Sequence, residues 1–344
     1  MLAPSEFANT TGYLDTTTYG LPPNRTLDAL REAIDAWAAR GDWLTWEEDG
    51  ERCRELFAEL APVTPRNIAL MPAVSVAAGA VAASLPAEHG DNVVVHVEDF
   101  TSTVLAWQAL ETRGVEIRAV PLEELARAVD ERTQLVAVSL VQSADGRMVD
   151  LDALQATGAR LFVDGSQALG GIEVDASQID YFACHAYKWL LCPRGLGFLS
   201  VREDRLGELV PWLAGWKARA RPYERFYGVP EELTDDARLH DVSLPWQVAA
   251  GAHQSLSLIA EIGPARIAAH NMALARAFTS ATGAPEPQSP IVRIDVDNAP
   301  TVAERLRDAG IACAVRGGFV RVAFHLYNDE DDVELASAAL QGAV

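Results

Sequence analysis

Basic residues are scarce in this chain, and their scarcity removes whole classes of function. Lys and Arg together number 28 against 49 Asp and Glu, a formal net charge of −21 over 344 residues. Nucleic acids and anionic membrane surfaces are held by clustered Lys and Arg, so neither is expected as a partner. Long apolar runs are missing too. A membrane span needs about 20 consecutive apolar residues, and the longest candidate, Ile68 to Leu85, is Ala-rich and interrupted by Pro72. The opening residues MLAPSEFANT contain no basic stretch followed by an apolar core, so no secretory signal is expected. Cysteine is sparse. Cys53, Cys184, Cys192 and Cys313 lack CxxC spacing, which argues for reduced thiols in a cytoplasmic protein rather than disulfides or a zinc site. No GxGxxG follows an early strand, which argues against a dinucleotide-binding dehydrogenase. Repeats and low-complexity segments are also absent.

What is present reads as α/β. Apolar positions at three-and-four spacing predict helices over Thr26–Ala38 and Trp46–Leu60. Short β-branched runs then alternate with helical segments. Asn92–Val97, Val115–Val120, Leu135–Leu140, Arg160–Val163 and Gly197–Val201 are the runs, with Ser102–Thr112, Leu122–Val129 and Leu151–Thr157 between them. Strands this apolar are buried on both faces, which implies a mainly parallel sheet between helical layers. Beyond Val210 an aromatic, Pro/Gly-bearing stretch predicts a long ordered loop. A helix over Trp246–Ile262 follows, then Ile291–Val296, a helix over 301–309, strands over Ile311–Val315 and Phe319–Phe324, and a last helix over Glu330–Leu340. This predicts a large domain over 21–238, a smaller α+β domain over 239–344, and an N-terminal segment, 1–20, packed on the smaller one.

The segment Leu161–Val201 carries most of the chemistry. One apolar run delivers Asp164 at its end, and a second delivers His185, Tyr187 and Lys188. A carboxylate and a lysine that both sit where a buried strand meets a loop could hold pyridoxal phosphate between them, the lysine as Schiff base and the carboxylate facing the pyridine nitrogen. The plain alternative is a salt bridge at the sheet edge. Four further segments fit the first reading. Ser75 and Val76 open an Ala-rich helix whose N-terminal amides suit a phosphate, although a serine there is commonly a cap. Phe100 follows a buried strand and could lie over a ring. Gln142 follows another strand, where its amide could reach a ring substituent. Arg321 sits inside an apolar strand run, where a guanidinium needs a carboxylate from protein or substrate.

In that order these segments resemble the class V aminotransferase superfamily of pyridoxal-phosphate enzymes, fold type I, from about Tyr19 to the C-terminus. The resemblance implies that Lys188 carries the internal aldimine, that Asp164 pairs with the pyridinium nitrogen, and that Gln167 contacts the ring hydroxyl or the lysine linkage. It places Ser75 and the Val76 amide at the phosphate and makes Arg321 the receiver of a substrate carboxylate. His185 becomes a phosphate ligand or proton relay, against the alternative of a satisfied strand-end histidine. Tyr187, Phe100 and Gln142 look kynureninase-like, whereas Gln167 stands where that branch has histidine. Ser243, and with it Trp216, resemble positions that reach the phosphate across a dimer interface. The implied protein is a homodimer with shared sites acting on an amino acid by aminotransferase-type chemistry, with a β-lyase, a kynureninase-like hydrolase or an epimerase as alternatives. Persulfide chemistry is not expected, because Ala314–Gly318 leads straight to Arg321 with no room for a cysteine-bearing loop.

Overall fold

In the computed structural model, which describes residues 1–341, two helices open the chain: α1 (Asn24–Ala38) and α2 (Trp43–Leu60). The main sheet then forms from β1 (Ile68–Met71), β2 (Asn92–His96), β3 (Glu116–Val120), β4 (Thr133–Ser139), β5 (Leu161–Asp164), β6 (Tyr181–His185) and β7 (Gly197–Val201). Helices α3 (Val74–Ser84), α4 (Thr101–Gln108) and α5 (Leu151–Ala156) connect them. The strand order is β1-β7-β6-β5-β4-β2-β3. β3, β2, β4, β5 and β6 run parallel, while β7 pairs antiparallel with both β6 and β1.

Period-two alternation explains how the strands bury both faces. Val94, Val136 and Phe182 point into one core with Phe57 and Phe198, whereas Val93, Val95, Leu135 and Phe162 point into another with Trp107. Each such side chain contributes about 1.5–3 kcal/mol of burial. The expectation of a doubly covered, mainly parallel sheet is met.

The chain continues through α6 (Trp246–Ile262) and α7 (Pro264–Thr282) to a three-stranded antiparallel sheet. Its strands are β8 (Ile291–Ile294), β9 (Ala314–Arg316) and β10 (Phe319–Ala323), in the order β8-β10-β9. Helices α8 (Ala299–Asp308) and α9 (Glu330–Leu340) complete this unit. Its core gathers Phe278, Leu306, Val320 and Phe324, together with Leu14 from the chain's beginning. α6 packs on α1 and α2 rather than on this small sheet.

Two readings of the sequence change. α7 was not anticipated. Gly263, at φ 93°, and Pro264 look like a helix stop, but the glycine turns the chain and the proline then occupies the first turn of a new helix. Leu122–Val129 is not a helix but two short 3-10 turns.

The N-terminal segment lies along the small sheet and then reaches the large one. Tyr13 bridges Ala312, the Ala323 amide donates to the Leu14 carbonyl at 2.8 Å, and the Gly20 amide donates to the Tyr187 carbonyl at 2.9 Å.

Candidate active site

Parallel strands place their carboxyl ends side by side, and this is where the site forms. Asp164, the last residue of β5, is in register with Ser139 on β4 and Ala183 on β6. Lys188 follows β6 by three residues. The Asp164 carboxylate is held on two sides, by the Ser166 amide at 2.8 Å and the Thr103 hydroxyl at 3.1 Å. Lys188 is buried. Burial lowers its pKa to about 8; the Asp164 charge opposes that shift, and the Arg321 charge adds to it.

A cavity of about 520 Å³ opens onto the lysine, bordered by Thr18, Tyr19, Phe100, Tyr187 and Arg321 among others. The Phe100 ring centre is 5.3 Å from the Lys188 amine, and the ring is 47% exposed, an apolar face turned outward at the lysine. Arg321 is fully buried. It donates to the Ser143 carbonyl, to the Ser143 hydroxyl at 3.2 Å, to Asp15 at 3.2 Å and to Thr18 at 3.3 Å, while its Nε has no partner. Burial pulls its pKa down to about 10.

The remaining expected residues divide into three groups. Gln142 and Gln167 stand beside Asp164 with their amides already engaged. Gln142 donates to Asp99 and to the Ser139 carbonyl, both at 3.2 Å. Gln167 donates to the Thr17 carbonyl and the Ser143 hydroxyl, both at 3.1 Å, and accepts from the Trp189 indole at 2.9 Å. His185, Ser75 and Val76 meet at the start of α3. The Val74 amide donates to His185 Nε2 at 3.3 Å, His185 Nδ1 is buried without a partner, and Ser75 is exposed. The Val76 amide is engaged within the first turn, donating to the Ala73 carbonyl at 3.1 Å. Burial drops the His185 pKa to about 4, so the ring is neutral at physiological pH.

Neither Trp216 nor Ser243 borders the cavity within one chain. Trp216 packs in an aromatic cluster with Trp43, Tyr223 and Phe226, and Ser243 is exposed beside the segment that bonds Leu70.

Several residues at the site escaped sequence reasoning. Thr103 and Asp15 carry no motif, and only folding brings them to Asp164 and Arg321. Asp99 ends a strand run, which is a signal of sorts; it accepts from the Ser139 and Phe100 amides, both at 2.7 Å. Arg194 and Arg316 also border the cavity.

Pyridoxal phosphate fits what is present. The orphaned Nδ1 of His185 and the α3 N-terminus, which lacks a side-chain cap, suit a phosphate. The outward Phe100 face suits an aromatic ring, and Lys188 beside Asp164 suits the two ends of a pyridoxal.

The sequence profile of the aminotransferase class-V family matches residues 13–283. The chain belongs to the class-V aminotransferase family. With it, the chain joins the pyridoxal-phosphate enzymes of fold type I that its motifs resembled. Among its class-V relatives, it is similar to the uncharacterized aminotransferase YcbU of Bacillus subtilis, 28% identical over 330 residues that cover 90% of this chain and 88% of that protein. A probable cysteine desulfurase of Methanothermobacter thermautotrophicus is 28% identical over 377 residues, covering 96% and 94%. The fold matches the structure of a C-DES mutant with glycine covalently linked to its PLP cofactor, at TM-score 0.89 and 20% identity, over 98% of this chain and 97% of that one. A second C-DES structure, the cystine C-S lyase with its product cysteine persulfide, gives 0.88 and 20% over 97% and 98%. Among the described residues no helix is long and apolar enough to cross a membrane, and no group of His, Cys, Asp and Glu is arranged to hold a metal.

Proposed function

We propose that the protein is a pyridoxal-phosphate enzyme that acts on an amino acid by aminotransferase-type chemistry, with Lys188 as its cofactor-bearing residue. One observation carries this reading: a buried lysine of lowered pKa stands at the end of the strand next to Asp164, beneath the open face of Phe100. In this reading Asp164 faces the pyridine nitrogen, Phe100 covers the ring, and Ser75 with His185 and the first-turn amides of α3 receives the phosphate. When bound, the cofactor supplies an electron-withdrawing ring that stabilises negative charge at the substrate's α-carbon.

The chain's own groups do the rest. Lys188 is neutral in a substantial fraction near pH 8, so its Nζ can take a proton from the α-carbon and return it. Arg321 holds the substrate carboxylate through donors that include the unpartnered Nε, which fixes which bond at the α-carbon points toward the lysine. Gln167, tied to Trp189 and Ser143, keeps the wall beside the lysine in place. Persulfide formation is not part of the reading. β9 and β10 join through Gly317 and Gly318 alone, and burial pushes the Cys313 thiol up to about 11.

Three further features belong to the same proposal. The working unit is a homodimer, with Ser243 and Trp216 directed to the partner's site. The chain divides into an N-terminal segment over 1–20, a cofactor-binding domain over 21–238 and a small domain over 239–344. The enzyme works in the cytoplasm.

The test is an absorbance spectrum of protein incubated with pyridoxal phosphate. The expected result is a visible band that shifts on adding an amino acid and is missing from a folded Lys188→Ala variant. A band that persists in that variant sinks the proposal. Release of pyruvate and ammonia from a cysteine conjugate, without added keto acid, would select the β-lyase alternative.

A further inference from the structure

The cavity before Lys188 inverts the charge of the chain around it. The protein carries 21 negative charges in excess, yet the residues bordering this space include Lys188, Arg194, Arg316 and Arg321 and no Asp or Glu. Lys188 and Arg321 are buried at its floor while Arg194 and Arg316 stand exposed at its mouth, so the space offers a positive potential that favours anions.

Two of the anions follow from the proposed function, and they use other groups. The phosphate of the cofactor goes to His185 and Ser75 at the start of α3, and neither of these borders the cavity. The α-carboxylate of an amino acid goes to Arg321, which Asp15, Ser143 and Thr18 already orient. Arg194 and Arg316 remain. Among the described residues Arg316 donates only to the backbone carbonyl of Val315, at 2.8 Å, and Arg194 has no ion pair or hydrogen bond. The Arg194 guanidinium lies 5.2 Å from the centre of the Tyr187 ring, which orients its charge without neutralising it. Both charges are felt at the centre of the site, Arg316 at Lys188 and Arg194 at His185 and Tyr187.

We propose that the substrate carries a second carboxylate at the end of its side chain and that Arg194 and Arg316 receive it. The substrate class is then an acidic α-amino acid or a longer dicarboxylic analogue. A volume of about 520 Å³ admits several carbons between the two carboxylates. Planar guanidinium groups suit such a head better than ammonium groups, because they bind both oxygens at once. The inference rests on the proposed function for the place of the α-carboxylate.

The test separates the two claims by using ligands that lack an amine. Glutarate and butyrate are titrated into the pyridoxal-phosphate-loaded protein by calorimetry. The expected result is glutarate binding at least roughly tenfold tighter than butyrate, with Arg194→Gln and Arg316→Gln each removing most of that preference and leaving butyrate unchanged. Arg→Lys at either position is expected to restore part of it. Equal binding of the two acids, no binding of either, or variants that weaken both acids alike would overturn the proposal. So would variants that change the oligomeric state without changing the preference, since the arginines would then serve a second copy of the chain. A parallel absorbance titration with alanine and glutamate reports on the cofactor reading. A response to either amino acid upholds that reading even where the acid preference fails.

Discussion

Only two lysines occur in the sequence, and the structure gives them opposite surroundings. Lys217 is buried against Glu47, with 2.5 Å between Nζ and the carboxylate, while burial brings the Lys188 pKa to about 8. The neutral amine is the form that condenses with an aldehyde, so a lowered pKa raises its share at a given pH. We expect the rate of cofactor reloading into stripped protein to rise with pH through a midpoint near 8, well below the 10.5 of an ordinary lysine. Borohydride trapping followed by peptide mapping should label the Lys188 peptide alone. A midpoint near 10.5, or label on Lys217, would refute the assignment. Lys188 and Asp164 stood out in the sequence because Asp164 ends one apolar run and Lys188 follows the next within three residues, which puts both at the rim of a buried sheet. Thr103 and Asp15 were not legible. A single hydroxyl or carboxylate acquires a partner through tertiary contact, 61 positions away for Thr103 and 306 for Asp15, and no local pattern encodes it.

At the scale of elements, the strands were the clearest part of the reading. β2 and β4 are apolar on both faces because two separate cores need them, so their runs stand out against the amphipathic helices around them. α7 was hidden because glycine followed by proline ends a helix as readily as it begins one. The segment over 13–20 was the least visible element, since it has little regular structure of its own and is ordered by what it touches. Its contact at Gly20 allows no side chain. A Cβ there would lie 2.1 Å from the Lys188 carbonyl oxygen and 2.5 Å from a Leu191 methyl. Because backbone cannot yield as a flexible side chain can, Gly20→Ala must displace either this segment or the lysine loop. We expect cofactor affinity to fall by roughly tenfold or more in an absorbance titration, with the far-ultraviolet circular dichroism unchanged. Unaltered affinity would show that the contact does not position Lys188.

For the whole molecule, the question is where the site ends. The family's motif order was readable from about Tyr19 onward, but neither Trp216 nor Ser243 borders the cavity of its own chain. Trp212 is 64% exposed, Tyr227 84% and Val229 88%, all within the loop that also carries Trp216. Large apolar side chains clustered in one exposed segment are a feature of association surfaces. We expect a dimer by analytical ultracentrifugation at micromolar concentration. Activity per chain should fall on dilution below the dissociation constant, and Ser243→Ala should weaken cofactor retention without changing the dimer. Full activity in a monomer would contradict the shared site.

The strap from Tyr13 to Gly20 has a consequence for how the protein is born. It is synthesised well before its docking partners Ala312 and Ala323, which lie far along the chain. Asp15 cannot meet Arg321 until the chain has been synthesised as far as β10. Contacts so distant along the chain close slowly. A nascent molecule can therefore finish its large sheet while the pocket still gapes, and the ability to clasp a cofactor waits for β9 and β10.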